Sequence, residues 1–243
     1  MEPSPCSRPV PASLSPWRAV KVSNLTPKAC ASFALALGLT TLAGWALHMP
    51  ALVRLQPGWT PMVVNTGIGF VLAGLGLWVA AANRRGSSII SAVLGVLVVV
   101  LAVEELVVLF FDLNPALSLP ELHRLLEPEY PHPGRMAPNT ALAFLLFGAG
   151  LVALARAPAK WAIGWARAAA VAVATIGLFG VLGYALQLEY LYEWSGVVRM
   201  AAHTGLGMIA LGIGLESHVR ARQAAVATET DQEGSPRSIP APD

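Results

Sequence analysis

Met62-Val63-Val64-Asn65-Thr66-Gly67-Ile68-Gly69-Phe70 returns as Met136-Ala137-Pro138-Asn139-Thr140-Ala141-Leu142-Ala143-Phe144, and again as Met200-Ala201-Ala202-His203-Thr204-Gly205-Leu206-Gly207-Met208. A Gly-x-Gly-Leu follows each Met at one offset: Gly74–Leu77, Gly148–Leu151 and Gly212–Leu215. Repetition at intervals of 74 and 64 residues outranks any local signal, because it reports the architectural unit. Each copy opens an apolar run, and another apolar run precedes it. The reading is an all-α integral membrane domain of six transmembrane helices, arranged as three two-helix repeats around a pseudo-threefold axis.

Composition agrees. Hydrophobic residues are 55% of the 243, charged residues 12%, and mean hydropathy is +0.60, the balance of a chain whose solvent is lipid. Stretches of about 20 apolar residues span a bilayer. They fall near Ala29–Met49, Pro61–Ala82, Ile89–Phe111, Met136–Ala155, Trp161–Leu186 and Met200–Leu215, the last being short. The first run begins too far from Met1, behind a proline-rich stretch, to be an ordinary cleaved signal peptide. The expected division is a disordered cytoplasmic tail over 1–29, a membrane body over 30–219 and a second disordered tail over 220–243. The repeats are bounded near 30–86, 87–158 and 159–219. Neither tail has the length of a catalytic domain, about 50 residues.

Charge placement orients the chain. Arg8, Arg18, Lys21, Lys28, Arg84, Arg85, Arg156, Lys160, Arg167, Arg220, Arg222 and Arg237 fall on one side, against Arg54, Arg124, Arg135 and Arg199 on the other. The positive-inside rule places both termini in the cytoplasm. These cations flank helices rather than cluster, which speaks against nucleic acid. Cys6 and Cys30 lack partners at metal-binding spacing. The expanded second connection, Asp112–Arg135, contains a candidate interfacial helix at Leu119–Leu126. Trp59, Tyr130, Tyr190, Tyr192 and Trp194 suit an outer aromatic belt.

On a helix, residues i, i+3, i+4, i+7, i+11 and i+14 share a stripe. Counted from each Met, the stripe is polar at its outer end and small further in. Gly69, Gly76, Ala143, Gly150, Gly207 and Gly214 are therefore read as helix-packing positions, since small residues let helices approach in lipid. Thr60-Pro61 reads as an N-cap followed by a first-turn proline. Asn65, Asn139 and His203 converge in the outer half, where they either satisfy helix starts and neighbouring helices or line a polar ligand pocket. Glu104 and Glu105 lie inside the third span, where carboxylates are costly and are usually paired or functional. Unit alignment sets them at the places of Gly44-Trp45 and Gly183-Tyr184. Trp45 and Tyr184 would then wall the same pocket.

No nucleophile–base arrangement, phosphate loop or metal set stands out, so no catalytic residue, metal or cofactor is assigned; the haem alternative would need His48 and His203 as axial ligands. Asn114-Pro115-Ala116 matches the aquaporin triplet only once, and in a loop. Gly44-Trp45 to Leu52, Pro133 to Phe144 and Arg199-Met200-Ala201-Ala202-His203-Thr204 carry a resemblance over nearly all of 30–219. They resemble the multi-span membrane sensor domain N-terminal to bacterial PAS/histidine kinases and diguanylate cyclases. The resemblance implies a sensor in the bacterial inner membrane, and only some 25 residues follow the last span in place of an output domain. The expected function is therefore a non-enzymatic signalling module acting through a separate kinase or cyclase, or as a homo-oligomer. A structural or assembly subunit of a membrane complex is the alternative, and a small-solute or proton transporter a third.

Overall fold

The computed structural model describes residues 25–84, 86–113, 119–126, 132–156, 160–194 and 198–234. Cys6, Arg85, the Asn114-Pro115-Ala116 triplet, Tyr130 and nearly all of the proposed N-terminal tail lie outside these residues. The described residues form α-helices and one 3-10 turn, with no strand among them. The helices are α1 (Leu25–Ala46), α2 (Pro50–Val53), α3 (Val64–Ala82), α4 (Ser87–Phe111), α5 (Pro120–Leu126), α6 (Pro138–Arg156), α7 (Lys160–Leu186) and α8 (Ala202–Gly234), with the 3-10 turn at Glu189–Leu191. The short α5 sits where the interfacial helix was expected.

Five helices, α1, α3, α4, α6 and α7, are long and apolar enough to cross a membrane. The sixth expected span, Met200–Leu215, is the first part of α8, where Glu216, His218 and Arg220 interrupt the apolar run before it reaches about 20 residues. Beyond it α8 continues to Gly234, through residues assigned above to a disordered tail. The segment after Arg220 is rich in Ala, Gln, Glu and Arg and has no proline before Pro236, a composition that favours helix.

The helices close a ring: α1 packs on α3, α3 on α4, α4 on α6, α6 on α7, α7 on α8, and α8 back on α1. Inside it, α3, α6 and α8 also touch one another. The most apolar stretches of α3 and α6 are 61% buried, against 33% in α1, 33% in α4 and 39% in α7. The motif-bearing helices are thus the inner layer.

Two residues separate the glycines of each Gly-x-Gly, a turn of about 200°, so the pair serves two faces. The first glycine meets its own repeat's preceding helix. A Cβ on Gly74 would stand 2.9 Å from the Ala31 carbonyl oxygen, one on Gly148 2.6 Å from that of Gly95, and one on Gly212 2.6 Å from that of Ala170. Seven residues away on the antiparallel partners, Gly38 meets Gly67 and Gly177 meets Gly205, while Ala102 and Ala141 are 0% and 1% exposed. The second glycine meets the next repeat. Leu151 fills the space over Gly76, Leu215 that over Gly150, and Leu77 that over Gly214, at 2.9, 3.1 and 2.6 Å from the position of an added Cβ. Each repeat's leucine therefore enters the preceding repeat's glycine notch, and the third notch receives the first leucine. Phe144 over Gly69 and Phe70 over Gly207 follow the same order one layer nearer the Met residues. Phe70 and Phe144 meet edge to face at 5.2 Å, and Phe70, Phe144, Ala143 and Met208 are all 0% exposed.

Candidate functional site

The three Met motifs sit at one end of the bundle. Helix α3 starts at Val64 with Val63 as its cap, so Thr60-Pro61 precedes the helix by a turn and is not its N-cap. Asn65, Asn139 and His203 each occupy the second residue of an inner helix. There the first N–H groups lack carbonyl partners within the helix. The side-chain oxygen of Asn65 accepts from the Thr66 N–H at 2.9 Å, and that of Asn139 accepts from the Thr140 N–H at 2.9 Å.

Their amide nitrogens reach into the next repeat. Asn139 donates to the Tyr192 carbonyl oxygen at 3.2 Å, and the same oxygen accepts from the Met200 N–H at 2.9 Å. Asn65 donates to a Glu105 carboxylate oxygen and to the Gly134 carbonyl oxygen at 3.1 Å. The other Glu105 oxygen accepts from the Met136 N–H at 3.3 Å. His203 lies beside the Val53 backbone without either ring nitrogen reaching hydrogen-bond geometry, while the Val53 carbonyl oxygen accepts from the Met62 N–H at 2.8 Å. The pattern has three versions. A loop carbonyl, Val53 or Tyr192, anchors one Met and faces the preceding repeat's His203 or Asn139. Among the described residues of the expanded second connection no carbonyl accepts from Met136, and the Glu105 carboxylate takes that place. A buried carboxylate that accepts two such donors is a paired one in the sense its cost demands.

Of the two readings the sequence leaves open, these hydrogen bonds favour helix starts and neighbouring helices over one shared pocket. Asn65 meets Glu105 and Gly134, Asn139 meets Tyr192, and His203 lies beside the Val53 backbone. Glu105 belongs to the Asn65 node and is 3% exposed, while Glu104, its neighbour about 100° round the helix, is half-buried. The unit alignment also shifts by one turn. The glycine contacts match Gly38 with Ala102 and Gly177, so Glu105 corresponds to Thr41 and Gly180 rather than to Trp45 and Tyr184. Thr41 donates to the Met62 sulfur at 3.2 Å, and a Cβ on Gly180 would stand 2.6 Å from the Met200 sulfur. Trp45 and Tyr184 are struts of their own repeats. The Trp45 indole donates to the Met62 carbonyl oxygen at 2.7 Å, and the Tyr184 hydroxyl to that of Met200 at 2.9 Å.

Sequence reading missed two elements here. His123 of α5 is 2% exposed, packs on Trp45 with centroids 4.1 Å apart and the rings tilted by 46°, and accepts from the Val64 N–H at 3.4 Å. The short loop helix thus covers the first repeat rather than only lying at an interface. Tyr192, assigned above to an aromatic belt, is 7% exposed and stacks on Tyr184 at 4.3 Å. Tyr190 and Trp194 are exposed, as a belt requires.

At the centre of the motif end, Thr66, Thr140 and Thr204 line a void of about 10 Å³ beneath Arg135 and Arg199, room for about one water. Both guanidinium groups are engaged: Arg135 with Asp112 at 2.7 Å, Arg199 with Glu193 at 2.5 Å and Glu189 at 3.2 Å. The Glu193 hydrogen bond pushes the Arg199 pKa above its ordinary value. Among the described residues no cluster of three His, Cys, Asp or Glu groups could hold a metal. His48 is exposed at the end of α1 while His203 is buried. No protein-family model, curated protein or solved structure matches the chain.

Proposed function

We propose that this chain is a six-span sensor module of a bacterial inner membrane, three two-helix repeats related by a pseudo-threefold axis along the membrane normal. Its output passes through a separate signalling protein. The observation that carries the reading is α8. Its first half belongs to the inner layer of the bundle, and the same helix runs unbroken to Gly234. At 1.5 Å per residue its 33 residues extend about 50 Å, well beyond a hydrocarbon core of about 30 Å. Any change of packing among α3, α6 and α8 would therefore displace a rigid rod on the cytoplasmic side. The buried layer of Phe70, Phe144 and Met208 favours this reading over a transporter. The cyclic glycine–leucine contacts support the threefold relation, and the Lys/Arg asymmetry supports the orientation. An assembly role has one observation in its favour. A lateral apolar groove of about 810 Å³ between α4, α6 and α7, bordered by Trp161 and Trp165, could seat a partner helix.

Three experiments test the proposal. Reporter fusions after Arg85 and after Gly134 are expected to report opposite sides of the membrane; the same side for both would overturn the topology. A photo-crosslinking residue placed at Arg220, exposed on α8, is expected to trap a kinase or cyclase in living cells. Ala221→Pro, which breaks the rod beyond the bundle, is expected to remove signalling while leaving the protein folded. Trapping a subunit of a stable membrane complex instead would favour the assembly reading.

A further inference from the structure

The end of the bundle opposite the Met motifs holds a second polar site. Asn83, Arg84, Ser87, Ser88, Ser91, His218 and Arg222 border a pocket of about 130 Å³ between the α3–α4 turn, the end of α6 and α8. That is about four times the ~30 Å³ a water occupies in the liquid, enough for a tetrahedral oxoanion. Among the described residues no carboxylate lines it. Among the described residues Arg84 has no acidic partner, and Arg222 donates to the Leu154 carbonyl oxygen at the end of α6 and to no carboxylate. Two guanidinium groups thus face one cavity uncompensated, unlike Arg135 and Arg199 at the other end.

The N-terminus of α4 opens onto the same space. Gly86 caps it at φ +82°, a conformation that favours glycine, which leaves the N–H groups of Ser88 and Ile89 without helical carbonyls. Such a terminus favours anions. The independent observation lies in the walls. Ser91 and His218 are 3% and 7% exposed, line the cavity, and have no hydrogen-bond partner among the described residues. Neither is among the polar atoms sealed in the core, so the Ser91 hydroxyl and the His218 imidazole are open to the cavity and available to a partner that enters it.

We propose that this pocket binds a phosphate group, with Arg84 and Arg222 as charge partners, the Ser88 hydroxyl and the first α4 amides as donors, and Ser91 and His218 completing the shell. The phosphate could belong to a soluble phosphate compound or to the headgroup of an anionic lipid; the chemistry of recognition is the same. The site is independent of the sensor reading and of the orientation in the membrane.

The test uses the full chain in neutral detergent, with its unfolding midpoint followed by tryptophan fluorescence. One arm adds inorganic phosphate at ionic strength balanced with sodium chloride; the other adds phosphatidylglycerol against phosphatidylcholine. A ligand of the folded state raises the midpoint. At least one arm is expected to stabilise the wild type, and the arm that does so identifies the source. Arg84→Gln, at an exposed residue with no protein partner, is expected to keep the ligand-free midpoint and to weaken apparent affinity about tenfold, the worth of one charge-assisted contact of about 1.4 kcal/mol. Arg222→Lys is expected to weaken it less, and Arg124→Gln, far away on α5, not at all. No stabilisation in either arm, or an Arg84→Gln response equal to wild type, would overturn the proposal.

Discussion

Glu105→Ala is expected to destabilise the folded protein by about 2–4 kcal/mol, because it leaves two buried donors without acceptors at about 1–3 kcal/mol each. The donors are the Asn65 amide and the Met136 N–H. One ties α3 to α4 across a repeat boundary, and the other holds the chain just before α6. Glu105→Gln presents one carbonyl oxygen in place of two acceptors and is expected to lose roughly half as much. Asn65→Ala removes one donor of the node and should cost about 1–2 kcal/mol. Glu104→Ala should fall well below Glu105→Ala, since Glu104 is not enclosed in the node. Titration with a denaturing detergent, read by tryptophan fluorescence, measures all four. Equal losses for Glu104→Ala and Glu105→Ala would show that intramembrane charge, not the node, matters.

A single added methyl group in α7 should separate packing from propensity. Gly177→Ala places a Cβ 2.5 Å from the Gly205 carbonyl oxygen and 2.8 Å from the Ile209 nitrogen. Both are backbone atoms, so α7 and α8 must move apart, and overpacking of this kind costs about 1–3 kcal/mol or more. Gly164→Ala, in the same helix, meets nothing within 4 Å and should gain about 0.5–1 kcal/mol from helix propensity. Opposite signs for the same chemical change are the expected result of detergent-unfolding measurements on the two variants. If Gly177→Ala matched Gly164→Ala, the close α7–α8 approach would not be what holds the third repeat together.

The triple phrase, the apolar runs and the Gly-x-Gly spacing were legible because lipid leaves little choice. Backbone groups must be satisfied within helices, and helices approach closely only where side chains are small. From the letters alone, then, came the all-helical membrane architecture, the inner placement of the motif helices, the short helix before Leu126, and Gly76, Gly150 and Gly214 as packing positions. The same letters could not tell that Gly74 and Gly76 serve different neighbours, because a spacing of two residues specifies an angle but not a partner. The seven-residue pairs on the preceding helices, Ala31 and Gly38 or Ala170 and Gly177, were hidden among many other small residues.

Tertiary structure alone decided the site. Asn65, Asn139 and His203 hold equivalent places in the repeated phrase, which suggests convergence, yet the packing order of the helices sets each against a different neighbour. Glu105 could be read as either a paired or a functional intramembrane acid; only the fold shows that its carboxylate accepts from the Met136 N–H, where Val53 and Tyr192 carbonyls serve Met62 and Met200. The polar pocket at the opposite end joins residues of α3, α4, α6 and α8 that are as much as 139 positions apart, Asn83 to Arg222. No local pattern marks it, because its common feature is proximity, and proximity over such separations is created by helix packing rather than by sequence.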